Sequence, residues 1–155
     1  TKVTKPDLSD AKVEKVSHTS GFSSKYVGTY KNNIVIEKDG EVVKIGERTL
    51  EITNVEDGKV TGKYYEIVKP EYAEEYPNPY NFTFEYDPDD STHGPHMYFF
   101  SYTNQDGEVE YGQIHPGNFG KIYLDLNMEI MDEHSYRSNM NYDLFDPEFI
   151  RVFPE

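Results

Sequence analysis

The residues best suited to chemistry lie in one stretch. From Glu71 to Gly120 there is no Lys or Arg, while ten acids, three of the five histidines and twelve Tyr or Phe fall within it. Two imidazoles three residues apart, His93 and His96, can approach one Zn²⁺, with His115, Asp87 and Asp89 as further ligands. Pro95 between them forbids the helix that usually makes such spacing work, so convergence depends on loops and strands. Asp87-Pro-Asp89-Asp90-Ser91 offers carboxylate oxygens to Ca²⁺. It lacks the Gly and terminal Glu of an EF-hand loop, and an acidic turn capping its own amides is the commoner use of such a sequence. With no cysteine, a His/carboxylate set is the one transition-metal option.

The second group is aromatic. Tyr98, Phe100 and Tyr102 alternate along one face of a strand, and Tyr86 and Tyr111 lie on the neighbouring runs. Such rings either fill a core or line a surface where they stack while their hydroxyls hydrogen-bond. No G-x-S-x-G elbow, P-loop, G-x-G-x-x-G or H-E-x-x-H sequence is present. Catalytic residues are therefore not assigned, and a hydrolase remains a reading with no motif behind it.

The elements that position these groups are strands. Two alanines and five leucines stand against twelve valines, nine isoleucines, 14 Tyr and nine Phe, a balance that suits pleated surfaces over helices. Residues 25–30 and 34–36 read as strands with a break at Asn32-Asn33, and Asp39-Gly40 turns the chain into 42–45. Leu50 and Ile52 alternate with polar residues, Asp57-Gly58 makes a second turn, and 60–67 follows with an apolar phase slip at Tyr64-Tyr65 that predicts a bulge or a wall buried on both sides. The three prolines of 69–80 predict a loop or short helical turn. Residues 82–86, 97–102, 109–114 and 122–130 are further strands, with a turn at Asp106-Gly107; residues 132–147 are irregular, and 149–153 closes the set. Eight to ten short strands joined by tight turns predict an all-β, meandering antiparallel barrel, with a β-sandwich as the alternative.

Charge and composition limit the partners. A formal charge of −14, from 29 acids against 15 Lys and Arg, disfavours nucleic acid and anionic membranes and favours a basic protein partner or a hard cation. No apolar run reaches the roughly 20 residues needed to span a bilayer. Residues 1–20 hold four Lys, three acids and few large apolar groups, and read as a flexible leader to a single domain over 21–155.

Gly28-Thr29-Tyr30 and Arg151, within Phe149-Ile150-Arg151-Val152-Phe153, carry a resemblance to the lipocalin-like (calycin) barrels, particularly small lipoproteins of Gram-positive bacteria. In that family a Gly-x-Trp opens the first strand and an Arg from the last strand covers the ring. Here Tyr30 stands in place of the Trp, and Arg151 is the matching cation. The resemblance implies a barrel with a ligand cavity and no catalysis. It also implies a cell-surface, extracytoplasmic setting, a lipid anchor upstream of the chain, and a monomer. The expected function is thus a non-enzymatic binding module for a small ligand or a protein partner. A Zn²⁺- or Ca²⁺-binding protein is the first alternative and an unrecognised hydrolase the second.

Overall fold

A computed structural model describes residues 21–89, 98–118, 120–132 and 135–153. The expected leader, residues 1–20, lies outside the described residues. Nine strands follow a short 3₁₀ turn at Ser24–Tyr26: β1 (Gly28–Lys38), β2 (Glu41–Glu56), β3 (Lys59–Val68), β4 (Asn81–Tyr86), β5 (Phe99–Thr103), β6 (Val109–Pro116), β7 (Lys121–Ile130), β8 (Tyr136–Ser138) and β9 (Glu148–Val152). A second 3₁₀ turn, Pro70–Tyr72, sits in the proline-rich connection between β3 and β4. Every ladder is antiparallel, and the strand order is β4-β3-β2-β1-β9-β7-β6-β5, with β8 paired to β7 beyond β9. The all-β meander read from the sequence is therefore present as a nearly closed barrel. Among the described residues, β4 and β5 face each other across a seam without a ladder.

The turns form where the sequence places them. Asp39 (φ 54°) with Gly40 (φ 80°), and Asp57 (φ 55°) with Gly58 (φ 79°), occupy the left-handed region that two-residue hairpins with the right twist require. Two local expectations fail. Asn32-Asn33 does not interrupt β1, because Asn32 donates from Nδ2 to the carbonyls of Asp146 (2.6 Å) and Glu148 (3.2 Å), so a polar residue serves inside a continuous strand. Likewise 42–45 and 50–53 belong to one 16-residue strand, whose register against β1 shifts beside Gly46. A Cβ at Gly46 would stand 2.1 Å from the Ile67 carbonyl oxygen, so only glycine permits that approach.

The phase slip at Tyr64-Tyr65 is also absent. β3 alternates regularly, with Val60, Gly62, Tyr64 and Glu66 inward, and the bulge lies across the hairpin, between Ile52 and Asn54 of β2. The hydrophobic pattern misleads here because an inward position holds Glu66 while outward ones hold Tyr65 and Ile67.

The lumen is filled from all sides by Tyr30, Leu50, Ile52, Val60, Tyr64, Phe82, Phe84, Tyr86, Phe100, Tyr102, Ile114, Ile122, Leu124, Leu126, Phe145 and Phe149. Ring stacking holds the seam: Phe82 lies on Tyr102 with centroids 4.0 Å apart, and Phe84 lies against Phe100 at 4.6 Å. Aromatic contact thus joins the two strand edges where backbone hydrogen bonds do not.

Candidate functional site

Three regions collect polar or aromatic chemistry. The first is the floor, where β1 enters. Arg151 donates from its guanidinium to the carbonyls of Lys25 and Val27 (2.8 Å for the latter), and its Cζ stands 5.8 Å from the Tyr30 ring centroid. Gly28 makes room, since a Cβ there would meet Arg151 Nε at 2.9 Å. The Tyr30 hydroxyl donates to the Tyr26 carbonyl (2.8 Å), and burial raises its pKa, partly opposed by Arg151. These contacts tie the entry of β1 to β9 and make this region structural.

The second region is an acidic cleft of about 570 Å³ beside the β2–β3 turn and the end of β4, lined by Phe22, Asn54, Glu56, Asp57, Lys59, Thr61, Glu85, Asp87 and Asp89. Five carboxylates face one lysine, and Lys59 pairs with Asp87 at 3.9 Å. Asp87 Oδ1 accepts from the Asp89 amide at 2.9 Å, the acidic capping turn that its sequence suggests.

The expected metal set is only partly placed. His93 and His96 lie outside the described residues. His115 packs its ring 4.3 Å from that of Tyr98, and burial lowers its pKa, with Asp125 acting in the opposite sense. Among the described residues no group of three or more His, Asp or Glu is arranged to hold a metal ion.

The expected ligand-contacting aromatics divide. Tyr86, Phe100 and Tyr102 are buried in the lumen, and Tyr98 and Tyr111 are half-buried. Tyr98 adopts φ 59° just before β5 and packs against the core on the same side as Phe100 and Tyr102; residue 97 lies outside the described residues. Phe99 and Phe100 both lie buried on opposite faces of the strand, Phe100 in the lumen and Phe99 against the Tyr136 ring at 5.1 Å.

The third region was not singled out from the sequence. At the end of the barrel remote from the floor, Arg48 and Glu66 face each other across β2 and β3, with side chains only 4% and 1% exposed. Arg48 Nε stands 3.4 Å from Glu66 Oε2, in charge contact but without hydrogen-bond alignment. The guanidinium also donates to the Asn33 carbonyl and lies 4.7 Å from the Phe145 ring centroid. Glu66 accepts in addition from the Tyr64 hydroxyl, from the Tyr76 hydroxyl (2.7 Å) and from the Tyr80 amide (2.9 Å).

Tyr80 links this cluster to a second carboxylate. Its hydroxyl donates to Glu110 Oε1 (3.1 Å), which also accepts from the Tyr102 hydroxyl (2.7 Å), while Oε2 accepts from Asn104 Nδ2 (2.8 Å). The Tyr102 hydroxyl in turn accepts from the Asn127 amide (2.9 Å), exposed to it by the left-handed turn of Asn127 (φ 53°) within β7. Burial, reinforced by the neighbouring carboxylates, raises the pKa of Tyr64, Tyr76, Tyr80 and Tyr102. The available signal in the sequence was Glu66 inside a tyrosine-rich strand and the Arg48 opposite it. Such signals can be used only once the register is known.

No protein family, curated protein or solved structure matches this chain. Among the described residues, no helix is long and apolar enough to cross a membrane.

Proposed function

We propose that this chain is a non-enzymatic binding module that works outside the cytoplasm and engages a basic protein partner at the acidic cleft. The observation that carries the reading is the filled lumen. The barrel's own aromatics occupy the space a small apolar ligand would need, which moves recognition to the outer surface. On that surface Glu56, Asp57, Glu85, Asp87 and Asp89 converge around a single lysine, and charge of one sign in a cleft steers and selects an oppositely charged partner. The polar clusters at Glu66 and Glu110 are saturated by tyrosines, an arrangement suited to holding shape. The extracytoplasmic setting rests on the calycin resemblance carried by Tyr30 and Arg151.

The test is binding of an oligolysine peptide followed by fluorescence anisotropy over a range of salt. Glu56→Lys/Glu85→Lys is compared with Glu37→Lys/Glu41→Lys, an equal change of charge at the β1–β2 hairpin. Weakening of at least about tenfold by the cleft pair beyond the hairpin pair supports a localised docking site. Equal weakening by both pairs would leave only the net charge of the molecule and defeat the proposal.

A further inference from the structure

The acidic cleft lies where the described chain begins. Gly21 packs against the end of β6, where an added Cβ would meet Pro116 Cγ at 3.0 Å. The next residue, Phe22, is buried and forms part of the cleft wall. It is held edge to face by the rings of Tyr26 (5.2 Å) and Tyr86 (6.3 Å), so the point of entry is fixed. Residues 1–20 therefore join the fold at the rim of the cleft.

Charge on the two sides is opposite. Glu56, Asp57, Glu85, Asp87 and Asp89 line the cleft around Lys59, which pairs with Asp87. The segment 11–18, AKVEKVSH, sets Lys12 and Lys15 against Glu14 alone. An extended chain advances about 3.4 Å per residue, so Lys15 reaches up to about 20 Å from Gly21 and Lys12 up to about 30 Å. Both lysines are thus tethered within reach of the carboxylates beside Phe22.

The surroundings have room for a chain and a donor for it. The cleft shares Thr61 and Glu85 with a second groove of about 590 Å³, which follows the outer side of the β4–β5 seam past Thr83, Ser101 and Thr103. An extended segment in the cleft has a continuous track to run into. Behind Phe22, the Tyr86 hydroxyl is buried without a hydrogen-bond partner among the described residues, and Tyr86 directly precedes Asp87 of the cleft wall. A backbone carbonyl of an entering chain would satisfy that donor.

We propose that the segment 11–18 occupies the acidic cleft of its own molecule, with Lys12 and Lys15 against the carboxylates, and that a basic partner must displace it. The proposal rests on the reading of the cleft as a docking site for basic groups and adds how that site is regulated. Tethering sets a local concentration of about a millimolar, so a contact with a dissociation constant of about 0.2 mM is occupied in about five molecules of six. A free basic peptide then binds about sixfold more weakly than it would to an empty cleft.

Two measurements on the full chain test this. The chain has no cysteine, so Ala11→Cys gives one attachment point for a nitroxide. Paramagnetic broadening of the Gly58 and Glu85 amides is recorded without any peptide, with the lysines intact and with Lys12→Gln/Lys15→Gln. Strong broadening that falls at least about threefold in the double variant is expected. Equal broadening in both, or none in either, overturns the proposal. Broadening that fades on dilution places the segment in the cleft of a second copy and also overturns it. In the oligolysine anisotropy assay, Lys12→Gln/Lys15→Gln should bind about sixfold more tightly than wild type. Lys2→Gln/Lys5→Gln, the same change of charge farther from the cleft, should bind like wild type. If oligolysine binds the wild type and the Lys12→Gln/Lys15→Gln variant alike, partner docking stands and the proposal falls. If it binds none of them, partner docking falls and the broadening still decides the internal contact.

Discussion

Raising the pH should unfold this protein abruptly just above the ordinary tyrosine pKa. Of the 14 tyrosines, Tyr30, Tyr64, Tyr86 and Tyr102 are almost wholly buried, at 0%, 0%, 2% and 4% exposure; Arg151 partly offsets the burial of Tyr30, so the other three carry most of the effect. Burial is the main cause that raises the pKa of each, and nearby carboxylates add to it for all three. In the unfolded chain these phenols ionise near pH 10. Above that point the unfolded state loses protons that the folded state retains, so stability falls as pH rises; below it the contribution is fully present. Each such tyrosine costs about 1.4 kcal/mol of stability by about pH 11. Together the three cost about 4 kcal/mol, a large part of the roughly 5–15 kcal/mol that holds a domain of this size. The half-buried Tyr76 and Tyr80 add less, because solvent reaches them. Urea midpoints measured from about pH 8 to about pH 11, with phenolate absorbance and far-ultraviolet circular dichroism recorded together, read the effect. The exposed tyrosines should titrate first, and the buried ones should appear only with loss of the β signal. A smooth titration of all 14 with the fold intact would refute this account of the core.

Three further outcomes follow from named contacts. Arg48→Met should destabilise by about 3–5 kcal/mol by leaving Glu66 buried without its cation, whereas Arg48→Met/Glu66→Leu should cost clearly less than the two single changes combined. Urea denaturation of the four proteins measures that coupling, and strict additivity would mean the pair does not interact. At the seam, a double-mutant cycle of Phe82→Leu and Tyr102→Leu should give a coupling of about 0.5–1.5 kcal/mol from the stacked rings. A coupling of zero would show that stacking does not hold β4 to β5. Gly28→Ala should lower stability by about 1–3 kcal/mol, since its Cβ meets Arg151 and pushes the guanidinium off the Lys25 and Val27 carbonyls. Thermal unfolding of this variant at the wild-type temperature would show that Arg151 relaxes without cost.

Much of the architecture was legible from local chemistry. Asp39-Gly40, Asp57-Gly58 and Asp106-Gly107 mark the hairpins, and the alternation through Ile122, Leu124, Leu126 and Met128 fixes which face of β7 is buried. Turn geometry and period-two burial are properties of a few adjacent residues, so a single sequence carries them. The excess of β-branched and aromatic residues over Ala and Leu likewise set the fold class before any pairing was known.

Other features existed only once distant strands met. The Arg48–Glu66 pair spans a hairpin whose register is shifted by one bulge, between Ile52 and Asn54, and Glu66 looks like an outward residue until that register is drawn. Glu110 takes two donors, Tyr102 and Asn104, from its own hairpin and a third, Tyr80, from the connection ahead of β4. The filled lumen and the seam closed by rings also depend on how strands from opposite halves of the chain pack. Each of these includes a contact between separate elements, selected by the summed burial and pairing of the whole barrel. Composition and periodicity, which act over a few residues, therefore determined the strands, and tertiary packing alone decided which carboxylates face water, which face an arginine and which are held by tyrosines.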